Sequence, residues 1–195
     1  MLAGVTDVGK RGGPGAASGR PPSRSVSVAV VRGAARRRSV ESCPLMFEDF
    51  AEKTVVAIKK AEELAQQLGD ESVATGHLIY GLTVDRSVCL HHIFQDLNVD
   101  PDMFSGYVQS LPREPGVPNG PYNRHVRTVF ERAKDAAQQL GSKKVEPEHL
   151  ALALLSVKAG SCYETLKEFS IDPQYVQTLI LQAMGLDPEM VPEWF

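Results

Sequence analysis

Little in this sequence is equipped for chemistry. Its three cysteines, Cys43, Cys89 and Cys162, are odd in number and form no C-x-x-C pair. That argues against a disulfide framework and fits a reducing compartment. Cys89 and Cys162 lie in apolar helical patterns and read as small buried hydrophobes. No apolar run approaches the roughly 20 residues that a membrane-spanning helix needs. Five histidines and scattered acids form no Ser/His/Asp or H-E-x-x-H pattern, so no catalytic set is expected. Cys89, His91 and His92 do not share one helix face and lack a fourth ligand, so neither a metal nor another cofactor is expected. Gly4, Gly9 and Lys10 have phosphate-loop spacing, but Arg11 stands where a Mg²⁺-holding Ser or Thr belongs, and no strand precedes them. The chain reads as neither an enzyme nor an ATPase by itself.

Acidic residues are scarce at the start. Residues 1–44 hold eight Lys/Arg and two acids, for a charge of +6; the remainder holds 13 Lys/Arg and 22 acids, for −9. The first stretch is rich in Arg, Ser, Gly, Ala and Pro, with too few apolar residues to offset its ordering entropy. Its composition is that of an organelle transit peptide, plastid ahead of mitochondrion. A plainer alternative is a disordered basic tail, binding nucleic acid or nothing. Met46 is a start site in its own right on a second alternative. The reading adopted has no nucleic-acid and no membrane partner.

What the remainder does contain is a duplication. Residues 65–78 read AQQLGDESVATGHL and residues 137–150 read AQQLGSKKVEPEHL, identical at eight of fourteen positions with an offset of 72. Residues 46–111 slide onto 118–183 without a gap, and apolar positions fall on apolar positions. Both halves should therefore share one fold.

That fold is expected to be all-α, two pseudo-symmetric four-helix repeats giving eight helices. Phe47, Phe50, Ile58, Ala61, Ala65 and Leu68 recur at helical spacing, as do Val126, Val129, Ala133, Ala137 and Leu140. Gly69 and Gly141 end these helices. Thr75 is expected to cap the second helix and Pro147 to open its counterpart. Asp100-Pro101 and Asp172-Pro173 signal the fourth helix of each half. The expected organisation is a leader over 1–44, repeat one over 46–111, a linker over 112–121 with four prolines and two glycines, repeat two over 122–185, and a tail over 186–195. A single repeat of this size buries only about 60% of its unfolded surface. Pairing two covers apolar faces that one would leave wet, and Val, Ala and Leu of the first helices are expected to supply that interface.

The run MFEDFAEKTVVAIKKAEELAQQLG, the following T-x-H-L helix and the second A-x-x-L-G…E-H-L copy resemble the Clp N domain. That is the amino-terminal repeat domain of the Clp/Hsp100 AAA+ unfoldases, here most like the C-type chaperones. The resemblance covers about residues 46–184 and implies two four-helix repeats. A basic leader with such a domain and no ATPase module is similar to the ClpT accessory subunits of the plastid Clp protease. The implied function is a non-catalytic accessory subunit in the plastid stroma (mitochondrial matrix as the alternative), binding protease-core subunits or a Clp AAA+ chaperone. Other implied readings are a stand-alone receptor for substrates or adaptors, and a truncated piece of a full chaperone. In bacterial C-type relatives a G-T-E-H motif in each repeat places a Glu that helps receive phosphoarginine or adaptor groups. Here Glu148 matches in the second motif, and Gly76 replaces the Glu in the first. The candidate partner-binding residues are Thr75, His77, Glu148 and His149, with Trp194 and Phe195 at the acidic, aromatic tail. The plainer readings are a helix-dipole role for Glu148, helix-start polar groups for the histidines, and a tail packed on its own domain or frayed.

Overall fold

The computed structural model describes residues 47–112 and 120–188; the leader over 1–44 and the tail residues Trp194 and Phe195 lie outside them. Eight helices follow in order: α1 (Glu52–Leu68), α2 (Thr75–Thr83), α3 (Cys89–Asp96), α4 (Pro101–Ser110), α5 (Arg124–Gln139), α6 (Pro147–Ser156), α7 (Ser161–Glu168) and α8 (Pro173–Ala183). Each helix of the second set starts 72 residues after its counterpart. No strand forms among the described residues beyond two isolated bridges.

Local sequence accounts for most helix ends. Gly69 and Gly141 sit in the left-handed region at φ 72° and 71°. That lets the next N–H turn back onto the helix, from Asp70 to Ala65 O at 2.9 Å and from Ser142 to Ala137 O at 2.8 Å. Asp100 and Asp172 accept hydrogen bonds from the N–H groups of Asp102 and Gln174, each ahead of a proline at the first helical position. The expected cap at Thr75 is corrected. Thr75 is already the first residue of α2, and Ala74 precedes it. The His77 Nδ1 accepts the Ala74 N–H at 2.9 Å, and His149 Nδ1 takes the Glu146 N–H at 3.0 Å. An imidazole three residues on does what a Glu or Gln does in a capping box, so the Thr75 hydroxyl is free to face elsewhere in the fold.

The expected interface between first helices is also corrected. α1 packs chiefly on α2, and α5 on α6. Contacts between the halves run through α2 with α6 and α7, and α3 with α8. The reason is composition. α2 and α6 are apolar nearly all round, with Leu78, Ile79 and Leu82, then Leu150 through Leu155, all buried. Such helices belong in the centre, whereas α1 and α5 carry one polar face and cover them.

The halves also exchange their leading segments. Phe50 bridges to Val145, and Tyr122, its counterpart, bridges to Val73, the counterpart of Val145. Ala51 N–H donates to Val145 O and Asn123 N–H to Val73 O, both at 3.0 Å. Val145 N–H donates to Asp49 O and Val73 N–H to Pro121 O, both at 2.7 Å. This reciprocity marks a pseudo-twofold relation. Phe47, Phe50, Tyr122 and Phe130 meet edge to face at the crossing, with centroids 5.1–6.0 Å apart. Each such pair contributes about 0.5–1.5 kcal/mol beyond its buried area.

Candidate functional site

The start of α2 faces the start of α7, and each helix caps the other. Thr75 Oγ1 accepts the Cys162 N–H at 3.0 Å, while Ser161 Oγ accepts the Gly76 N–H at 2.8 Å. The two hydroxyls lie 3.4 Å apart. Both residues open their helices, so each supplies an oxygen to an N–H that its neighbour's helix leaves unpaired. Gly76 is enclosed here: a Cβ would lie 2.9 Å from both Ser161 Oγ and Val108 Cγ2. The position where the resemblance would place a Glu is therefore filled by Ser161. Thr75→Val should keep the shape but leave the Cys162 N–H unpaired, at a cost of about 1–2 kcal/mol in urea unfolding. An unchanged midpoint would remove the clasp as a stabilising element.

The equivalent junction, between α6 and α3, is built differently. Pro147 replaces Thr75, Glu148 replaces Gly76, and Cys89 replaces Ser161. Glu148 is half-buried, and its carboxylate lies close enough to the Cys89 thiol to act on it. Burial first, then the Glu148 charge, push the Cys89 thiol up to about 12. Cys89 stays protonated and is no nucleophile. A carboxylate in the first turn of α6 is favoured by that helix's positive end. One junction is thus a neutral hydroxyl clasp, and the other presents an anion.

A groove of about 310 Å³ beside the first junction is lined by Asp70, His77 and Ser161 among others. These residue types suggest a hydrolase set, but the geometry does not assemble one. His77 Nδ1 accepts a backbone N–H, so its proton sits on Nε2, which lies 3.1 Å from Asp70 Oδ2. Ser161 Oγ serves Gly76 and Thr75. A base bonded to its nucleophile is what such catalysis needs. In the second half, Ser142 replaces Asp70, and its Oγ lies 3.4 Å from His149 Nε2. Burial pulls the His149 pKa down, consistent with a neutral ring accepting at Nδ1.

The structure separates the candidate residues. Thr75, His77 and His149 are at most 1% exposed, and their polar atoms are engaged within the fold. Glu148 alone among the described candidates keeps partial access to solvent. Ser161 and the steric enclosure of Gly76 escaped sequence reasoning, as did a buried bond from the Tyr122 phenol to Glu62. The offset of 72 held a signal for each: Ser161 aligns with Cys89, Gly76 with Glu148, Tyr122 with Phe50 and Glu62 with Lys134. His91 is engaged away from Cys89, its Nδ1 lying 2.6 Å from Thr83 O.

Comparison with known proteins agrees with this architecture. Residues 121–192 match the Clp repeat (R) N-terminal domain. The chain is 27% identical over 171 residues to the chloroplastic chaperone protein ClpC2 of Oryza sativa subsp. japonica, covering 85% of this chain and 18% of that one. It is 27% identical over 164 residues to the chloroplastic chaperone protein ClpC1 of Arabidopsis thaliana, covering 83% and 17%. The chain thus spans under a fifth of the length of these relatives. The fold matches the N-terminal domain of ClpD from Arabidopsis thaliana at a TM-score of 0.60 and 24% identity, covering 71% of this chain and 96% of that one. It matches the Hsp104 N-terminal domain from Candida albicans at 0.60 and 19%, covering 72% and 94%. By sequence, residues 121–192 match the Clp repeat (R) N-terminal domain, and by fold the described residues resemble Clp N-terminal domains.

Proposed function

We propose that this chain is a non-catalytic accessory subunit of a plastid Clp protease, binding the protease core or its C-type AAA+ chaperone. The observation that carries this reading is the inequality of the two junctions. Ser161 closes the first and Glu148 occupies the second, so repeat one serves as scaffold and repeat two keeps the one open acidic junction. The chloroplastic relatives and the basic stretch over 1–44 support the plastid. The test is affinity purification of the tagged full chain from plastid extract, with mass spectrometry of its partners. Protease-core subunits or the C-type chaperone at near-equal abundance are expected. Recovery of neither overturns the reading.

A second reading is favoured by Glu148 itself, a half-buried carboxylate at a helix start. In it the chain is a receptor for arginine-modified substrates or adaptors with one site, because Gly76 supplies no carboxylate for the other. Glu148→Lys should then weaken phosphoarginine binding at least tenfold in a calorimetric titration without altering the circular dichroism. Identical titration curves would end this reading and leave the accessory-subunit role standing.

A further inference from the structure

The two halves share a backbone and invert its charge at one corner. After α1 the turn reads Gly69-Asp70-Glu71-Ser72-Val73; after α5 it reads Gly141-Ser142-Lys143-Lys144-Val145. Glu62 on α1 likewise corresponds to Lys134 on α5. Around the second turn a groove of about 370 Å³ is lined by Lys134, Lys143, Lys144, Gln138, Ser142 and Asp49, with others. We propose that this groove docks an acidic segment of a partner polypeptide.

Three observations support the assignment. First, the groove is basic on an acidic body. Residues 45–195 carry a charge of −9, yet three lysines and one acid line this corner. Within residues 45–195, an acidic segment repelled by the remaining surface is drawn to this corner. Secondly, the platform is held in shape. The turn is set by Gly141 in the left-handed region, and Val145 is tied to the leading segment of the first half on both backbone groups. Lys134 lies 3.0 Å from Asp49 Oδ2 and 5.7 Å from the centre of the Phe50 ring. Ordering the segment then costs little on this side of the contact. Thirdly, Lys143 and Lys144 are exposed, and Asp49 already offsets Lys134. Glu48 and Glu146, exposed neighbours in sequence, bound the corner and confine the positive region to the groove. The surface is distinct from Glu148, which would attract cations.

The test is zero-length carbodiimide coupling of a ten-residue glutamate peptide to the full chain at low salt, with adducts mapped by mass spectrometry. Lys143 and Lys144 should carry several-fold more adduct than the similarly exposed Lys53, Lys59, Lys158 and Lys167, and the excess should vanish at high salt. Lys143→Glu with Lys144→Glu should abolish the excess without moving the unfolding midpoint. Even labelling of all exposed lysines overturns the proposal. So do adducts linking Lys143 or Lys144 to Asp70 or Glu71 of a second copy, which would make the corner a self-association surface.

Discussion

Replacing Gly81 with alanine should cost about 3 kcal/mol of stability, at the upper end for an overpacked core. An ideal Cβ on Gly81 would lie 2.2 Å from the Ala57 carbonyl oxygen and 3.1 Å from the Ala61 nitrogen. These are backbone atoms of α1, so no side-chain rotation relieves the overlap. The helices must part, and α2 is the element on which both halves pack. The equivalent pair in the second half is Val129 and Ala153, larger at both places. Alanine is therefore not foreign to the fold; it is foreign to the close approach of α1 and α2. In urea unfolding the midpoint should fall with an unchanged slope. A loss below about 0.5 kcal/mol, the range of neutral surface changes, would show that the helices are not held this close.

Tyr122→Phe should cost about 2–3 kcal/mol, because it strips a buried carboxyl of its hydrogen-bond donor. Glu62 is 5% exposed and receives the Tyr122 hydroxyl; Tyr122 is 3% exposed. Burial raises the Glu62 pKa above its ordinary value, and the Tyr122 bond partly opposes that rise. Removing the phenol should raise it further. A carboxyl whose pKa is higher folded than unfolded contributes stability in acid, and the contribution is lost as pH rises through the folded value. The Tyr122→Phe variant should thus lose stability more steeply between acid and neutral pH than the natural chain. Combining Tyr122→Phe with Glu62→Leu should recover most of the loss, since neither side then holds an unpaired polar atom. Parallel pH profiles for the natural chain and the single variant would refute the coupling.

Much of this fold was legible in the residues alone. The offset of 72, the helical spacing of Ala61, Ala65 and Leu68, the turn glycines and the Asp-Pro caps are local signals. They depend on backbone chemistry within a few residues, so eight helices in two matching sets followed from them. The mistakes lay where local rules leave a choice. Thr75 has the chemistry of a cap, but the N–H it serves belongs to Cys162, 87 residues away. The first helices are amphipathic, but whether they meet each other or cover α2 and α6 depends on which helix is apolar all round. The candidate site divides in the same way. The sequence by itself determined that Glu148 has no counterpart at Gly76. Only the tertiary structure decided that a side chain at Gly76 would press on Val108 and Ser161, and that the Ser161 hydroxyl takes the Gly76 N–H. A side chain's spacing along the chain is set by local geometry, whereas its partner is set by whichever distant group the packed core brings within hydrogen-bond reach.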